Sequence, residues 1–191
     1  LTPLMADAVI QVYDVFARMH DPQAVDLILD KASYQEFAAE IRNIDSPFLQ
    51  DLADHMIDIT NIRMFIRARS LNKTWDFIMK LLLDGGTIDK DVYYRNSDGP
   101  ADSFADDIRR SRYGDAVQKG LEMVKTGKNS CGLEKALDDL LMSYIRKAKL
   151  VTIGVEPLIA YLFAKETEIR NVRMIMTGRI NNLPADMIRE R

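Results

Sequence analysis

Residues 58–64 read Asp58-Ile-Thr-Asn61-Ile-Arg63-Met64, and residues 168–174 read Glu168-Ile-Arg-Asn171-Val-Arg173-Met174. The two stretches lie 110 positions apart, and their alignment extends without a gap from residues 33–78 onto residues 143–188. It contains 13 identities over those 46 positions, where ordinary composition gives about three by chance. A repeat in fixed register predicts a fold assembled from similar units.

Both copies of the repeat predict one long helix. In the first copy, Ser46-Pro47 supplies a capping side chain and a proline at the first helical position. Apolar residues then recur at spacings of three and four: Phe48, Leu49, Leu52, Met56, Ile59, Ile62 and Ile66. The second copy has a matching stripe, interrupted at Glu166: Leu158, Ile159, Leu162, Ile169, Val172 and Met176. This spacing is typical of an amphipathic helix.

Helix signals also dominate the rest of the chain. Thr2-Pro3 and Asp21-Pro22 resemble the helix start at Ser46-Pro47, and Gly85-Gly86 is expected to end the helix that follows the first long one. Further helices are predicted at about 4–19, 22–43, 101–111, 113–126 and 132–150. Because alternating β-branched residues are nearly absent, we predict an all-α fold.

The loop Asn96-Ser-Asp-Gly-Pro100 is dense in turn-forming residues and marks the boundary between two predicted helical repeat units, 1–97 and 98–191. The 191 residues, 47% of them hydrophobic, are enough for a sizeable core. The net charge of -3 argues against a general nucleic-acid binder. No apolar run approaches the roughly 18 residues of a membrane helix, so direct membrane insertion is not expected.

Cys131 is the single cysteine, which excludes an intramolecular disulfide and favours a reducing compartment. Because the first residue is Leu1 rather than methionine, we expect the chain to be part of a longer protein.

Two interpretations fit the repeated asparagine and arginine. Arg63 and Arg173 lie beside the apolar stripe, where a guanidinium could bind an anion or a partner's carboxylate. Alternatively, each is a structural arginine whose stem packs and whose head pairs with a carboxylate or a helix end. We favour the structural interpretation for Asn61, Arg63, Asn171 and Arg173, because a single catalytic site would not usually need two copies.

No catalytic, cofactor or metal site is predicted. Asp102 and Asp106 have helical spacing, but neither His20 nor His55 has a ligand partner at such spacing. Asp84-Gly-Gly-Thr87 lacks the preceding strand and the lysine of a phosphate-binding loop. The arginine clusters are interleaved with acids and are more typical of solvated faces than of docking patches: Arg63, Arg67 and Arg69, and Arg109, Arg110 and Arg112.

The run from Gly154-Val-Glu-Pro157 through Glu168-Ile-Arg-Asn171-Val-Arg173 to Asn182-Leu-Pro184 and Arg191 resembles the C-terminal signature of the C subunit of V-type ATP synthases/ATPases. This archaeal and bacterial family is related to the d subunit of the eukaryotic enzyme. Asn61-Ile-Arg63-Met-Phe-Ile-Arg-Ala68-Arg, followed by a leucine-rich helix and Gly85-Gly86, resembles the middle repeat of that family. The departures are Thr167, where a small residue is common, and the short C-terminal end.

Family members are longer and have three similar units, so the resemblance implies two units of a funnel-like helical bundle without the N-terminal one. It also implies a non-catalytic central-stalk connector of a rotary ATPase, peripheral to the membrane on its cytoplasmic side. Its expected partners are the membrane rotor ring of c/K-type proteolipid subunits and the central shaft subunits of D/F type, between which it would transmit torque for ion translocation. Four arginines are expected to help dock these partners: Arg67, Arg69, Arg170 and Arg179. The alternatives are a helical metal-carboxylate enzyme and a free-standing helical adaptor.

Overall fold

The computed structural model describes residues 2–20, 22–125 and 131–189. Throughout these ranges the regular secondary structure is helical, which confirms the all-α prediction. The chain divides into two compact units, Leu1–Gly99 and Pro100–Arg191.

The described residues of unit 1 form helices α1 (Pro3–Met19), α2 (Pro22–Arg42), α3 (Pro47–Ser70), α4 (Trp75–Leu81) and α5 (Lys90–Arg95). Two of the predicted caps are confirmed, because the Thr2 hydroxyl accepts from the Met5 N–H and the Ser46 hydroxyl accepts from the Leu49 N–H, both at 3.4 Å. The Asp21 cap lies outside the described residues.

The core of unit 1 surrounds α3. Helix α2 packs against both α3 and α4, and Ala38 of α2 meets Ile57 of α3 together with Leu83. On another part of the helix the Phe65 ring meets the Tyr93 ring edge-on, with centroids 5.2 Å apart. The residues of α3 that are buried span nearly its whole length: Leu49, Leu52, Ala53, His55, Ile57, Asp58, Ile59, Asn61, Ile62, Phe65 and Ala68.

Unit 2 contains α6 (Ala101–Asp107), α7 (Gly114–Lys125), α8 (Cys131–Ile145), a 3₁₀ helix (Arg146–Leu150), α9 (Glu156–Ile180) and α10 (Ala185–Arg189). Helices α7 and α8 approach closely at Gly120, where an added Cβ would collide with the Leu133 backbone. The core of this unit consists mainly of Phe104, Ile108, Tyr113, Val117, Leu137, Ile145 and Ala148.

The helix boundaries differ from the sequence prediction at three places. The helix predicted at 101–111 ends at Asp107, and turns follow it up to α7. The predicted 132–150 helix is α8 followed by a 3₁₀ helix. The prediction that Gly85-Gly86 ends α4 is wrong, because α4 ends at Leu81, and the glycines instead form a turn packed against α3.

The two long helices end in the same kind of turn. Asn72 and Asn182 both adopt left-handed backbone conformations, with φ of 51° and 53°. In each turn a backbone N–H closes onto a carbonyl five residues earlier, from Lys73 to Ala68 at 3.0 Å and from Leu183 to Gly178 at 2.9 Å. Asparagine tolerates this conformation better than most residues, which explains its presence in both copies. The predicted funnel-like packing of the repeat units and their limits at 97 and 98 stay predictions.

Candidate functional site

Asn61 lies at the centre of unit 1 and holds the chain that follows α4. Its side-chain nitrogen donates to the Leu83 carbonyl at 3.1 Å, and its side-chain oxygen accepts from the Leu83 N–H at 2.8 Å. One amide side chain therefore satisfies both backbone groups of one buried residue, as a neighbouring strand would. This pair of hydrogen bonds ties α3 to a residue 22 positions later in the chain.

Asp58, one helical turn before Asn61, binds the continuation of the same segment. Its carboxylate accepts from the Thr87 N–H at 2.9 Å, the Thr87 hydroxyl at 2.5 Å and the Ile88 N–H at 3.2 Å. The Asp58 side chain is fully buried, so these bonds replace water around its oxygens. An added Cβ on Gly86 would collide with the same carboxylate.

The segment that follows Asp84-Gly-Gly therefore does bind a carboxylate, through Thr87 and Ile88, but this carboxylate belongs to a side chain of the same unit. The sequence does not indicate this role, because an aspartate on a helix and a glycine turn 29 residues later carry no sign that they meet. The only available signal was the acidic residue shared by both copies of the repeat, Asp58 and Glu168.

Two pKa shifts accompany this arrangement. Burial, and secondarily the nearby Asp58 carboxylate, raise the pKa of the Tyr93 hydroxyl well above its usual range. On the exposed side of the turn, the hydrogen bond from Lys90 lowers the pKa of Asp84. Gln35 also donates to Asp84, at 3.3 Å, and Arg42 donates to the Gly85 carbonyl at 3.0 Å. The turn is thus held from α2 as well as from α3.

The repeated positions have different surroundings in the two units. Asn61 is buried and Arg63 is half-buried, whereas Asn171 and Arg173 are exposed on α9. Sequence identity at these positions is therefore not accompanied by equal burial. A structural role for all four residues stays a prediction.

The four arginines proposed for docking also differ. Arg67, Arg170 and Arg179 are exposed. Arg69 is half-buried, donates to the Gly99 carbonyl, and places its guanidinium 5.6 Å from the Phe65 ring centroid. Arg67 and Arg69 belong to unit 1, and Arg170 and Arg179 belong to unit 2. Their contribution to docking stays a prediction.

Helix α9 presents a large exposed apolar face. Three fully buried residues of α3, namely Leu52, Ile59 and Ile62, are 0–2% exposed. Their counterparts in α9 are 50–58% exposed: Leu162, Ile169 and Val172. Exposed apolar surface on this scale is typical of an interaction site.

For metal chemistry, residues 2–20, 22–125 and 131–189 contain no group of three or more histidine, cysteine, aspartate or glutamate side chains that could hold an ion. The Cys131 side chain lies outside the described part of the structure. Among the described helices, none is both long enough and apolar enough to cross a membrane.

Comparison with protein families finds a match along nearly the whole chain. The family model "ATP synthase (C/AC39) subunit" matches residues 2–191.

Individual relatives share 25–37% sequence identity with the chain over the matched residues. The C subunit of the V-type sodium ATPase of Enterococcus hirae is 27% identical over 169 residues, which cover 88% of this chain and 51% of that protein. The C subunit of the A-type ATP synthase of Haloferax volcanii is 25% identical over 187 residues, covering 97% of this chain and 53% of that protein. A shorter match to the corresponding A-type ATP synthase protein of Halobacterium salinarum is 37% identical over 82 residues, or 42% of this chain and 23% of that protein. The chain thus spans about half the length of the first two relatives.

Proposed function

The chain belongs to the ATP synthase (C/AC39) subunit family, and from that premise we propose that it acts as a non-catalytic connector in a rotary V/A-type ATPase. In this role it docks the central shaft subunits onto the membrane rotor ring and transmits torque for ion translocation. The observation that carries the proposal is the family match from residue 2 to residue 191. The names of the relatives, which are C subunits of a V-type sodium ATPase and of A-type ATP synthases, support the same assignment.

The construction of unit 1 is compatible with a part that must bear torque. Its longest helix is buried along most of its length, and polar side chains of that helix fix the backbone 22–30 residues further on. Close packing and satisfied buried hydrogen bonds resist deformation, which a connector between two rotating parts requires.

The proposed partners are the c/K-type proteolipid ring on one side and the D/F-type shaft subunits on the other. The connector would then lie on the cytoplasmic side of the membrane as a peripheral subunit. We propose Arg67, Arg170 and Arg179 as docking cations, because all three are exposed. Arg69 belongs to the same proposal, although its bond to the Gly99 carbonyl gives it a structural task as well.

Co-purification tests the connector role directly. The chain is co-expressed with the rotor ring and shaft subunits of its own organism, and complexes are isolated through a tag on the ring. Recovery of shaft subunits that depends on this chain is the expected result. If the chain purifies with neither ring nor shaft, the connector proposal is wrong.

Charge reversal then tests the docking arginines. Arg67→Glu, Arg170→Glu and Arg179→Glu are expected to weaken shaft or ring binding, each by about fivefold to tenfold, as loss of an interfacial charge contact does. Arg18→Glu, at an exposed position on α1, is the matched control. Unchanged affinity in all three variants would remove these residues from the docking surface while leaving the family assignment intact.

A further inference from the structure

The segment from the end of the 3₁₀ helix to the start of α9 carries strongly exposed apolar side chains. We call residues 150–155, Leu-Val-Thr-Ile-Gly-Val, the apolar loop. Leu150 is 87% exposed and Ile153 is 90% exposed, and among the described large apolar residues none is more exposed than these two. Contact of so much apolar surface with water is unfavourable, which makes the apolar loop a candidate contact site.

The residues that precede the apolar loop are fixed within unit 2. The 3₁₀ helix packs against both α8 and α9. Its Ala148 is fully buried, and so are Tyr144 and Ile145 at the end of α8. The Val151 N–H donates to the Ala148 carbonyl at 3.1 Å, which ties the start of the loop to this buried support. The exposed side chains are therefore available to a partner without unfolding of the unit.

Positive charge accompanies the apolar loop. Arg146, Lys147 and Lys149 lie directly before Leu150, and all three are exposed. Residues 140–155 contain these three cations and no acidic residue. The first acid after the loop is Glu156, which is half-buried and lies so close to Gly154 that an added Cβ there would collide with its carboxylate. The segment thus places a cluster of cations next to an apolar loop.

We propose that the apolar loop inserts into the interfacial layer of a bilayer that contains anionic lipids. Leu150 and Ile153 enter the boundary between headgroups and acyl chains, while Arg146, Lys147 and Lys149 bind the negatively charged headgroups. Leu150 and Ile153 are separated by at most about 10 Å of extended chain, a length comparable with the depth of about 5–10 Å that interfacial anchors reach. Such a contact needs no membrane-spanning helix.

The exposure and charge of this segment favour a lipid surface over an acidic protein. Leu150 and Ile153 project into water and do not line a groove, so a protein partner would have to supply a fitted pocket for each of them. Acyl chains adapt to any side-chain shape. Lysine and arginine suit the headgroup layer, because their apolar stems can be buried while their charged ends stay in water.

The inference goes beyond the proposed connector role and does not rest on it. A chain that lies peripheral to a membrane has a lipid surface within reach, yet vesicle binding requires no other subunit. Failure of the co-purification test would therefore leave vesicle binding unaffected, and absence of vesicle binding would leave the connector role intact.

Vesicle flotation tests the proposal on the 191-residue chain. The probe is a vesicle of phosphatidylcholine with about one third phosphatidylglycerol, and a vesicle of phosphatidylcholine alone is the comparison. We expect binding to the anionic vesicle to be at least about tenfold tighter. Raising the salt to about 1 M, where the Debye length is about 3 Å, should remove most of this difference.

Two double substitutions separate the apolar contribution from the charged one. Leu150→Ser combined with Ile153→Ser should weaken binding to anionic vesicles about tenfold or more, because two apolar side chains no longer leave water. Arg146→Gln combined with Lys149→Gln should weaken it by a similar factor. Lys147 stays native, because its ammonium packs on an aromatic ring of α8.

Each double substitution has a matched control elsewhere in the chain. Ile10→Ser combined with Tyr13→Ser removes two exposed apolar side chains from α1. Lys119→Gln combined with Lys135→Gln removes two exposed charges from α7 and α8. Both controls should bind anionic vesicles as the native chain does. Because every substituted position is exposed, the melting temperature should change little in all four variants.

Insertion is measured separately from binding. Ile153→Trp places an indole in the apolar loop, and lipids brominated in their acyl chains quench an indole that enters the bilayer. We expect the fluorescence of Ile153→Trp to be quenched by brominated anionic vesicles. Ile10→Trp, at an exposed position on α1, should show no such quenching.

Any one of three results would overturn the proposal. The first is no binding to anionic vesicles. The second is binding that Leu150→Ser with Ile153→Ser leaves unaltered, since that would be adsorption of the cations alone. The third is an Ile153→Trp fluorescence that responds to soluble polyglutamate but not to brominated vesicles, which would make an acidic protein the occupant.

Discussion

At the scale of single residues, the asparagines at one aligned position of the repeat have two different environments. Asn61 exchanges two hydrogen bonds with Leu83, whereas Asn171 at the aligned position is exposed. When a buried backbone N–H and C=O lose their hydrogen-bond partners, the folded state loses free energy of stabilisation. Removing an exposed side-chain amide changes the stability little. Substitution of the exposed Asn171 is therefore a matched control for substitution of the buried Asn61.

Asn61→Ala is therefore expected to lower the free energy of unfolding of unit 1 by about 2–4 kcal/mol, because two buried backbone groups lose their partners. Asn171→Ala should change stability by less than about 0.5 kcal/mol. Urea unfolding followed by circular dichroism covers both units, and fluorescence of Trp75, the single tryptophan, reports on unit 1. Equal effects of the two substitutions would contradict the assigned role of Asn61.

Tyr93 makes the stability of unit 1 sensitive to alkali. Because its pKa is raised in the folded state, its contribution is fully present below the unfolded pKa, about 10, and is lost as the pH rises above that value. The urea midpoint of the native chain should fall between about pH 9 and pH 11. Tyr93→Phe should flatten that fall, while Tyr13→Phe, at an exposed position on α1, should not. An unchanged slope in Tyr93→Phe would refute this explanation.

At the scale of elements, helical periodicity identifies an apolar face without saying what covers it. The stripes of α3 and α9 have nearly the same spacing, yet Leu52, Ile59 and Ile62 of α3 are buried, while their counterparts in α9 are largely exposed. The helices themselves follow from local chemistry, since caps, spacing and the left-handed asparagine all act within a few residues.

Paired truncations measure this difference. Ile62→Ala should destabilise unit 1 by about 2–5 kcal/mol, since it leaves a cavity in a closed core. Val172→Ala, at the aligned position of α9, should change stability by about 0.5 kcal/mol or less. Urea unfolding monitored by circular dichroism and by Trp75 fluorescence follows both variants. A large loss in Val172→Ala would show that α9 is buried in solution.

At the scale of the whole molecule, the dominant feature is an all-α chain in two compact units, one of which exposes an apolar helix face. The chain spans about half the length of its Enterococcus and Haloferax relatives, and these proteins, like the Halobacterium one, are named as subunits of larger complexes. Exposed apolar surface is consistent with a protein that works bound to others.

Dye binding provides a test at this scale. The native chain should bind a fluorescent apolar dye such as ANS, which reports exposed hydrophobic surface. Leu162→Lys combined with Ile169→Lys should lower the dye signal about twofold or more without lowering the melting temperature, because both sites are exposed. Ala164→Lys combined with Thr177→Lys adds the same charge at other exposed positions and should leave the signal unchanged.

The sequence by itself determined that the chain is helical, where α3 begins, and which family it resembles. These properties are encoded locally, in caps such as Ser46, in the spacing of apolar residues and in a string of residues shared by relatives. The tertiary structure alone decided that Asp58 and Asn61 hold the turn at residues 82–88, and that the apolar face of α9 is left largely exposed. The physical reason is that burial depends on what lies opposite in space, and residues 22–30 positions apart give no local sign of their contact.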